Sequence, residues 1–371
     1  MTMDRRSVVV GLSTVVALGA AACGRSPTAA SGDGGGAPPG GAEKVFAELG
    51  ALTGPERRDK ILKVAKAEGA LSLYTSMTSE VAKVVVDGFT AAFAIPVSLY
   101  RSGSETVLQR ILQEKGAGYQ GADVVETNAY ELFALNREGV LAEFKGPRRD
   151  LVPEAGRFEG WTATRFNLFA PSWNTRLVSS EDRPKTWEDL ADPKWQGRLS
   201  LEVSDDDWFL TLYKYWEKQG KTVQQIDDLF ARMVKGAKIA KGHTLQAELL
   251  SAGQFAVVAS DYTYIIQRAK DKGAPVDYRP FVEPVIARPN GIGLVKNAKH
   301  PAAAMLFVDW LLEEGQALLE KEDLTPAIAS LNDPLKGVEI IPIDVKTLVE
   351  DGPAWSKRYE ALVSKGLQVS K

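Results

Sequence analysis

His243, His300 and Cys23 are the only imidazoles and the only thiol among the 371 residues, so acid–base or nucleophilic chemistry near neutral pH has few places to sit. Neither histidine lies in an H-E-x-x-H pair, a nucleophile elbow or a phosphate loop, and no serine stands in a G-x-S-x-G turn. His300 precedes Pro301 and reads as the surface cap of a helix. The chain is therefore expected to bind without catalysing, and to need no cofactor. Hydroxyls and carboxylates at helix starts are the more telling groups. Ser102-Gly103-Ser104-Glu105 has capping-box spacing, and Ser204 followed by Asp205, Asp206 and Asp207 reads as an N-cap with acids in the first turn. At such a start, hydroxyls and free backbone N–H groups converge with the positive end of the helix dipole, which suits an anionic or hydroxylated ligand as well as simple capping. Trp173 and Trp208 offer either a stacking face for a flat cation or ordinary core area. Asp205, Asp206 and Asp261 favour a cation wherever they face it unpaired.

Short β-rich runs alternate with amphipathic helical patterns, the signature of an α/β protein with mostly parallel sheets. Residues 55–68, 80–93, 104–115 and 129–137 carry helical periodicity, with strands expected at 71–74, 96–100 and 123–125. After 168–173 the pattern restarts: a strand at 199–203, helices at 206–219, 223–234 and 245–250, and a strand at 255–260. A strand at 291–295 and one long helix over 301–319 follow, the helix with Ala304, Phe307, Val308, Leu311 and Leu312 on one apolar face. A last helical segment comes after Pro342, and no repeat recurs at a fixed short period. With 44% hydrophobic and 25% charged residues, the roughly 320 residues of the body suffice for two lobes with separate cores. A formal charge of −3 without a basic block excludes the electrostatic footprint of a nucleic-acid binder.

Asp4-Arg5-Arg6 precedes an apolar stretch, 8–22, that is too short to span a bilayer and ends in small residues. Residues 1–22 thus have the layout of a cleavable export signal. Leu18-Gly19-Ala20-Ala21-Ala22-Cys23 resembles a bacterial lipobox, departing at Ala20, where lipoproteins usually carry Leu. The resemblance implies acylation of the Cys23 sulfur, and a lone cysteine in an exported chain can form no internal disulfide. Asp4-Arg5-Arg6-Ser7-Val8-Val9 also resembles a twin-arginine signal, so both export routes stay open. Residues 23–55 are assigned to a flexible tether and the start of the first helix, because 24–42 is mostly Gly, Ala, Ser and Pro and cannot bury enough surface to offset its chain entropy. No later segment has the ~18 uncharged apolar residues of a membrane helix.

Several stretches then carry a family resemblance in order: Leu71-Ser72-Leu73-Tyr74-Thr75-Ser76, Tyr100-Arg101-Ser102-Gly103-Ser104, Gly121-Ala122-Asp123-Val124-Val125, the run Thr186-Trp187-Glu188-Asp189-Leu190 continuing to Gly197-Arg198, Lys272-Gly273-Ala274-Pro275-Val276, and His300-Pro301 continuing to Leu311-Leu312. Over about 60–320 the chain resembles the extracellular solute-binding proteins of bacterial ABC importers, in the group that includes ferric-ion, phosphonate, thiamine and polyamine binders. The resemblance implies the two-lobed type II periplasmic-binding-protein fold, each lobe a mostly parallel sheet flanked by helices, with the ligand cleft between them. Lobe 1 would take 56–165 and 290–342 and lobe 2 would take 166–289, with 343–371 packing on lobe 2. It further implies a monomeric, exported protein, periplasmic or on the outer face of the membrane and anchored at Cys23, that closes over a small polar solute or organic anion and delivers it to a membrane permease. A ligand-sensing adaptor for a membrane receptor is the alternative that keeps the fold.

In that fold the loops after the strands line the cleft. This nominates Thr75, Ser76, Thr78, Ser102, Gly103, Ser104 and Asn128 from the first lobe, and Trp173, Asn174, Ser204, Asp205, Asp206, Trp208, Asp261, Tyr262 and Tyr264 from the second. Ferric relatives use paired tyrosines, a histidine and a carboxylate as hard ligands. Here the tyrosine pair reads Asp261-Tyr262, the histidine position is Thr78 and the carboxylate position is Asn128, so one ligand of four matches and no metal is expected. Asp261, Tyr262 and Tyr264 with a bound anion are the alternative, non-standard ferric set.

Overall fold

The computed structural model describes residues 41–54, 56–328, 335 and 337–368. The expected signal segment, Cys23 and the tether up to residue 40 lie outside the described residues. Residues 41–50, assigned within 23–55 to the tether and the start of the first helix, form a separate helix, α1 (Gly41–Gly50), because Ala42, Phe46 and Leu49 recur at helical spacing and are buried.

Strands and helices then alternate: α2 (Glu56–Glu68), β1 (Leu71–Thr75), α3 (Ser79–Phe93), β2 (Val97–Arg101), α4 (Ser104–Gly116), β3 (Val124–Asn128), α5 (Ala129–Arg137) and β4 (Leu141–Ala142). Two strands follow, β5 (Arg157–Phe158) and the long β6 (Trp161–Asn174). The second alternation comprises β7 (Leu199–Glu202), α6 (Asp206–Lys218), α7 (Val223–Val234), β8 (Lys238–Ala240), α8 (His243–Ser251), β9 (Val257–Tyr262), α9 (Thr263–Asp271) and β10 (Val276–Asp277). The chain finishes with β11 (Val285–Val295), α10 (Pro301–Leu311), α11 (Glu314–Lys321), β12 (Thr325–Pro326), β13 (Ile340–Pro342) and α12 (Val345–Gln368).

Local chemistry sets several of these boundaries. Thr222 and Gln225 close a reciprocal capping box at the start of α7, whose Ile226, Leu229, Phe230 and Met233 form the buried stripe. The single helix expected over 301–319 is two, broken at Glu313. The Gln316 amide takes over the carbonyl of Leu311 at 2.9 Å, bonds Thr164 as well, and accepts from the Ala327 N–H, so the break is satisfied by one side chain. Helix α10 is buried on every side, because α1 and α2 cover the face that points away from the sheet.

The strand order β2-β1-β3-β11-β6-β9-β7-β8 explains how the halves connect. Strands β1, β2 and β3 pair in parallel at one end, and β7, β8 and β9 in parallel at the other. Between them run two long antiparallel strands, β6 and β11, that serve both ends. Residues 290–294 of β11 pair with β3, whereas residues 169–173 of β6 pair with β9. The β6–β11 register shifts between Asn290 and Gly291, where the strands pass from one half to the other. A Cβ on Gly291 would come within 2.3 Å of the Trp161 ring and 2.7 Å of the Thr162 carbonyl oxygen, so the crossing requires glycine.

Candidate functional site

A cavity of about 630 Å³ opens where four helix N-termini converge: those of α4 and α5 from the first half, and those of α6 and α8 from the second. Each helix follows a parallel strand, so its free N–H groups and positive dipole end lie at the strand's C-terminal edge. Gly103 and Ser104 come from the start of α4, and Asn128, Tyr130 and Glu131 from the start of α5. Glu202 to Asp207 and Lys241 to His243 face them, with Tyr262 of β9 and Arg288 of β11 at the base. Leu348, Ser356, Tyr359 and Glu360 of α12 complete the wall.

Beneath the cavity lies a buried charge network. Arg288 donates through Nη2 to Asp207 Oδ1 at 2.6 Å and to Asp205 Oδ1 at 3.4 Å, and also bonds Asp207 Oδ2 and the Tyr262 hydroxyl. Its guanidinium carbon sits 4.5 Å from the centre of the Phe169 ring. Asp205 also receives His243 Nε2 at 3.2 Å and the Ser260 hydroxyl at 2.6 Å. Burial opposes ionisation of Asp205, but His243 and Arg288 beside it hold its carboxyl below the ordinary value. Burial likewise opposes the charged form of His243, yet Asp205, Asp261 and Glu202 carry its pKa up to about 9. The Glu202 carboxylate ties the end of β7 to the start of α8, accepting from Gly242 N–H at 2.8 Å, and also accepts from Ser204 N–H.

Four carboxyls here are pushed upward, Glu202 among them by burial and by the neighbouring Asp205. Burial raises Glu131 to about 7 and Asp261 to about 7. Burial with the neighbouring Asp207 raises Asp206 to about 6, partly offset by a hydrogen bond from Ser356 of α12. The Tyr359 hydroxyl donates to the Glu202 carbonyl at 2.6 Å. Helix α12 therefore packs on α6 and α7, and it also reaches α5, where a Cβ on Gly352 would stand 3.2 Å from the Tyr130 ring.

Of the nominated residues, Gly103, Ser104, Asn128, Ser204, Asp205, Asp206 and Tyr262 line the cavity. The others lie away from the lining, for identifiable reasons. Thr75 is buried with its hydroxyl on Glu126 at 2.5 Å, Ser76 accepts from Thr127 at 3.0 Å, and Thr78 caps α3. Ser102 stops at a backbone bond to the Thr75 carbonyl. The capping box read from Ser102-Gly103-Ser104-Glu105 does not form, since Gly103 is the N-cap and Ser104 the first helical residue. Asn174 braces a turn through the Leu250 carbonyl and Arg176 N–H. Trp173 is core, and Trp208 is enclosed by Trp187 and Phe230. Asp261 is fully buried and bonds the Tyr262 N–H at 2.8 Å, and Tyr264 stacks on Tyr262 at 5.9 Å without reaching the lining. The alternative ferric set thus brings one residue, Tyr262, to the cavity, and no group of three or more His, Cys, Asp or Glu that could hold a metal ion occurs among the described residues.

The lining residues that the sequence reading passed over are chiefly Glu131, Glu202, Asp207, Lys241, His243, Arg288 and the α12 set. Asp207 stood in the acidic run read after Ser204, and an arginine directly after Val285, Ile286 and Ala287 was a signal for Arg288. Nothing local marked Ser356, Tyr359 or Glu360.

A family described as bacterial extracellular solute-binding protein matches residues 139–341. The Fe(3+)-binding periplasmic protein of Serratia marcescens is 26% identical over 272 residues, covering 69% of this chain and 78% of that one. Iron uptake protein A1 of Synechocystis sp. is 24% identical over 308 residues, covering 76% and 83%. Among solved structures, the periplasmic binding protein AfuA from Actinobacillus pleuropneumoniae with fructose-6-phosphate bound superposes with a TM-score of 0.69 at 20% identity, over 80% of this chain and 99% of that one. Iron-bound HitA from Pseudomonas aeruginosa superposes at 0.64 with 18% identity, over 78% and 99%.

Proposed function

The chain belongs to the bacterial extracellular solute-binding proteins, with their two-lobed type II periplasmic-binding-protein fold, and on that premise we propose how it captures its solute. It serves as the substrate-binding component of an ABC importer. The observation that carries the capture mechanism is the meeting of four helix N-termini, two from each half of the sheet, around one cavity. A molecule held there is touched by both lobes, so binding energy is released only when the lobes approach.

The lobes divide near 165/166 and 289/290, a reading supported by the change of strand partners along β6 and β11 and by the register shift at Asn290. Strand β13 pairs with Val285 to Ala287, so 340–342 goes with the crossover and not with the first lobe. The solute is small and polar. An organic anion is the less supported class, because Arg288 is already engaged by Asp207 and Asp205 while Glu105, Glu131, Asp206 and Glu360 also line the cavity. Cys23 carries the lipid anchor, and the small-residue segment after it is the tether.

A second reading is ferric binding, favoured by the names of the Serratia and Synechocystis relatives and by Glu131, His243 and Tyr262 in one lining. A thermal-shift series with fructose, fructose 6-phosphate, putrescine, phosphate and ferric citrate separates the readings. A true ligand at 100 times its dissociation constant adds about 2.7 kcal/mol of stability. Stabilisation by ferric citrate alone would replace the organic-solute reading, and turnover of any compound would end the binding-only reading.

A further inference from the structure

We propose that Glu131 and His243 are the paired polar anchors of the captured solute, one from each lobe, and that the solute presents a hydroxyl or ammonium donor to Glu131 and an oxygen acceptor to His243. The inference rests on the capture reading of this same cavity. Glu131 lies in the first turn of α5, is 6% exposed and lines the cavity, yet its Oε2 has no hydrogen-bond partner among the described residues. His243 opens α8 from the other half, is 9% exposed and lines the same cavity. Its Nε2 is engaged by Asp205 and its Nδ1 has no partner among the described residues.

Buried polar atoms are almost always satisfied, because leaving one unmade forfeits its hydration with no return. Among the described residues that line the cavity, Asp205, Asp207 and Glu202 each hold two or more partners, and Glu131 Oε2 and His243 Nδ1 are the buried side-chain atoms left open. The two open atoms therefore mark where the solute bonds. With Asp205, Asp261 and Glu202 keeping the imidazole protonated, Nδ1 carries a hydrogen and seeks an acceptor. The free oxygen of Glu131 seeks a donor. A bare inorganic anion would satisfy His243 but offer no donor to Glu131, whose carboxyl is raised by burial to about 7, so compounds that carry a hydroxyl or ammonium together with an oxygen acceptor fit the pair and phosphate alone does not.

The test uses the full chain and its Glu131→Met, Glu131→Gln and His243→Gln variants, with thermal unfolding measured empty and with fructose, fructose 6-phosphate, putrescine or inorganic phosphate. Empty Glu131→Met is expected to unfold about 1–3 °C above wild type, since an unsatisfied buried carboxyl is replaced by an apolar group of similar length. Whichever of fructose or fructose 6-phosphate stabilises wild type is expected to bind each variant at least tenfold more weakly, whereas putrescine, which offers ammonium donors but no oxygen acceptor for the protonated His243, is expected not to stabilise wild type, and stabilisation by putrescine alone overturns the pairing. A lower melting temperature for empty Glu131→Met, or variant affinities within twofold of wild type, overturns the anchor assignment and leaves solute capture intact. If none of the four compounds stabilises wild type, capture of these solutes falls, while the anchor assignment is still decided by the empty-protein comparison.

Discussion

Arg288 and Asp207 form a two-pronged buried ion pair that joins a crossover strand to a cleft helix: Nη2 meets Oδ1 at 2.6 Å and Nε meets Oδ2. The geometry links the crossover strand β11 to the start of α6, which lines the cavity. Both side chains are at most 10% exposed, so neither charge can fall back on water when its partner is removed.

Arg288→Met is accordingly expected to destabilise the protein by about 3–5 kcal/mol, because Asp207 is left buried without its charge partner while Asp205 keeps only His243 and Ser260. Arg288→Lys should recover only part of this, since a point charge cannot span two carboxylate oxygens. Urea unfolding at pH 7 measures both, and a midpoint unchanged in Arg288→Met would contradict the role given to the pair.

His243 makes stability depend on pH in a defined window. Its folded pKa, about 9, lies above the ordinary 6.5, so its contribution is fully present below pH 6.5 and is lost as pH rises through 9. The expected loss is about 2–3 kcal/mol between those limits. Unfolding free energies at pH 6.5 and 9.5 should differ by this amount in wild type and by much less in His243→Gln, and equal slopes in the two proteins would remove His243 as the cause.

Gly291→Ala tests the crossover. The added methyl would overlap the Trp161 ring and the Thr162 carbonyl, and overpacking of this kind costs typically about 1–3 kcal/mol. Thermal unfolding reads the effect, and an alanine accommodated without loss would show that the strands separate more easily than their pairing implies.

Cys23→Ala is expected to release the protein from the membrane fraction of its natural host without changing the melting temperature of the folded body, because the lipid would act through the Cys23 sulfur and the Gly- and Ala-rich sequence after it cannot bury enough surface to add to a core. Fractionation followed by immunoblotting checks it. Retention of the alanine variant in the membrane would leave Cys23 without its assigned role.

Much of the architecture was legible locally. Helix α5 begins and ends where its periodicity says, and α7 is bounded by its own capping box, since both depend on residues within a few positions of one another. The break at Glu313 was hidden, because Gln316 satisfies it through Thr164 on a strand more than a hundred residues away. Helix α1 was hidden for the same kind of reason: its apolar stripe means little until α10 lies beneath it.

The site divides along the same line. Ser204, Asp205 and Asp206 line the cavity, and a hydroxyl–acid run at a helix start is a local pattern; Trp208, three residues after Asp205, lies away from the lining because packing against Trp187 and Phe230 turns its ring inward, which no local pattern decides.

By itself the sequence determined the alternation of strands and helices, the expected export signal and the absence of recognisable catalytic motifs, all of which rest on spacing and composition. Tertiary structure alone decided which charges pair and which stay open. Asp205, Arg288 and His243 lie in separate elements, and Glu131 lies in the opposite half of the sheet. Their protonation and partners follow from burial and distance, quantities that exist only once β6 and β11 have brought the two halves together.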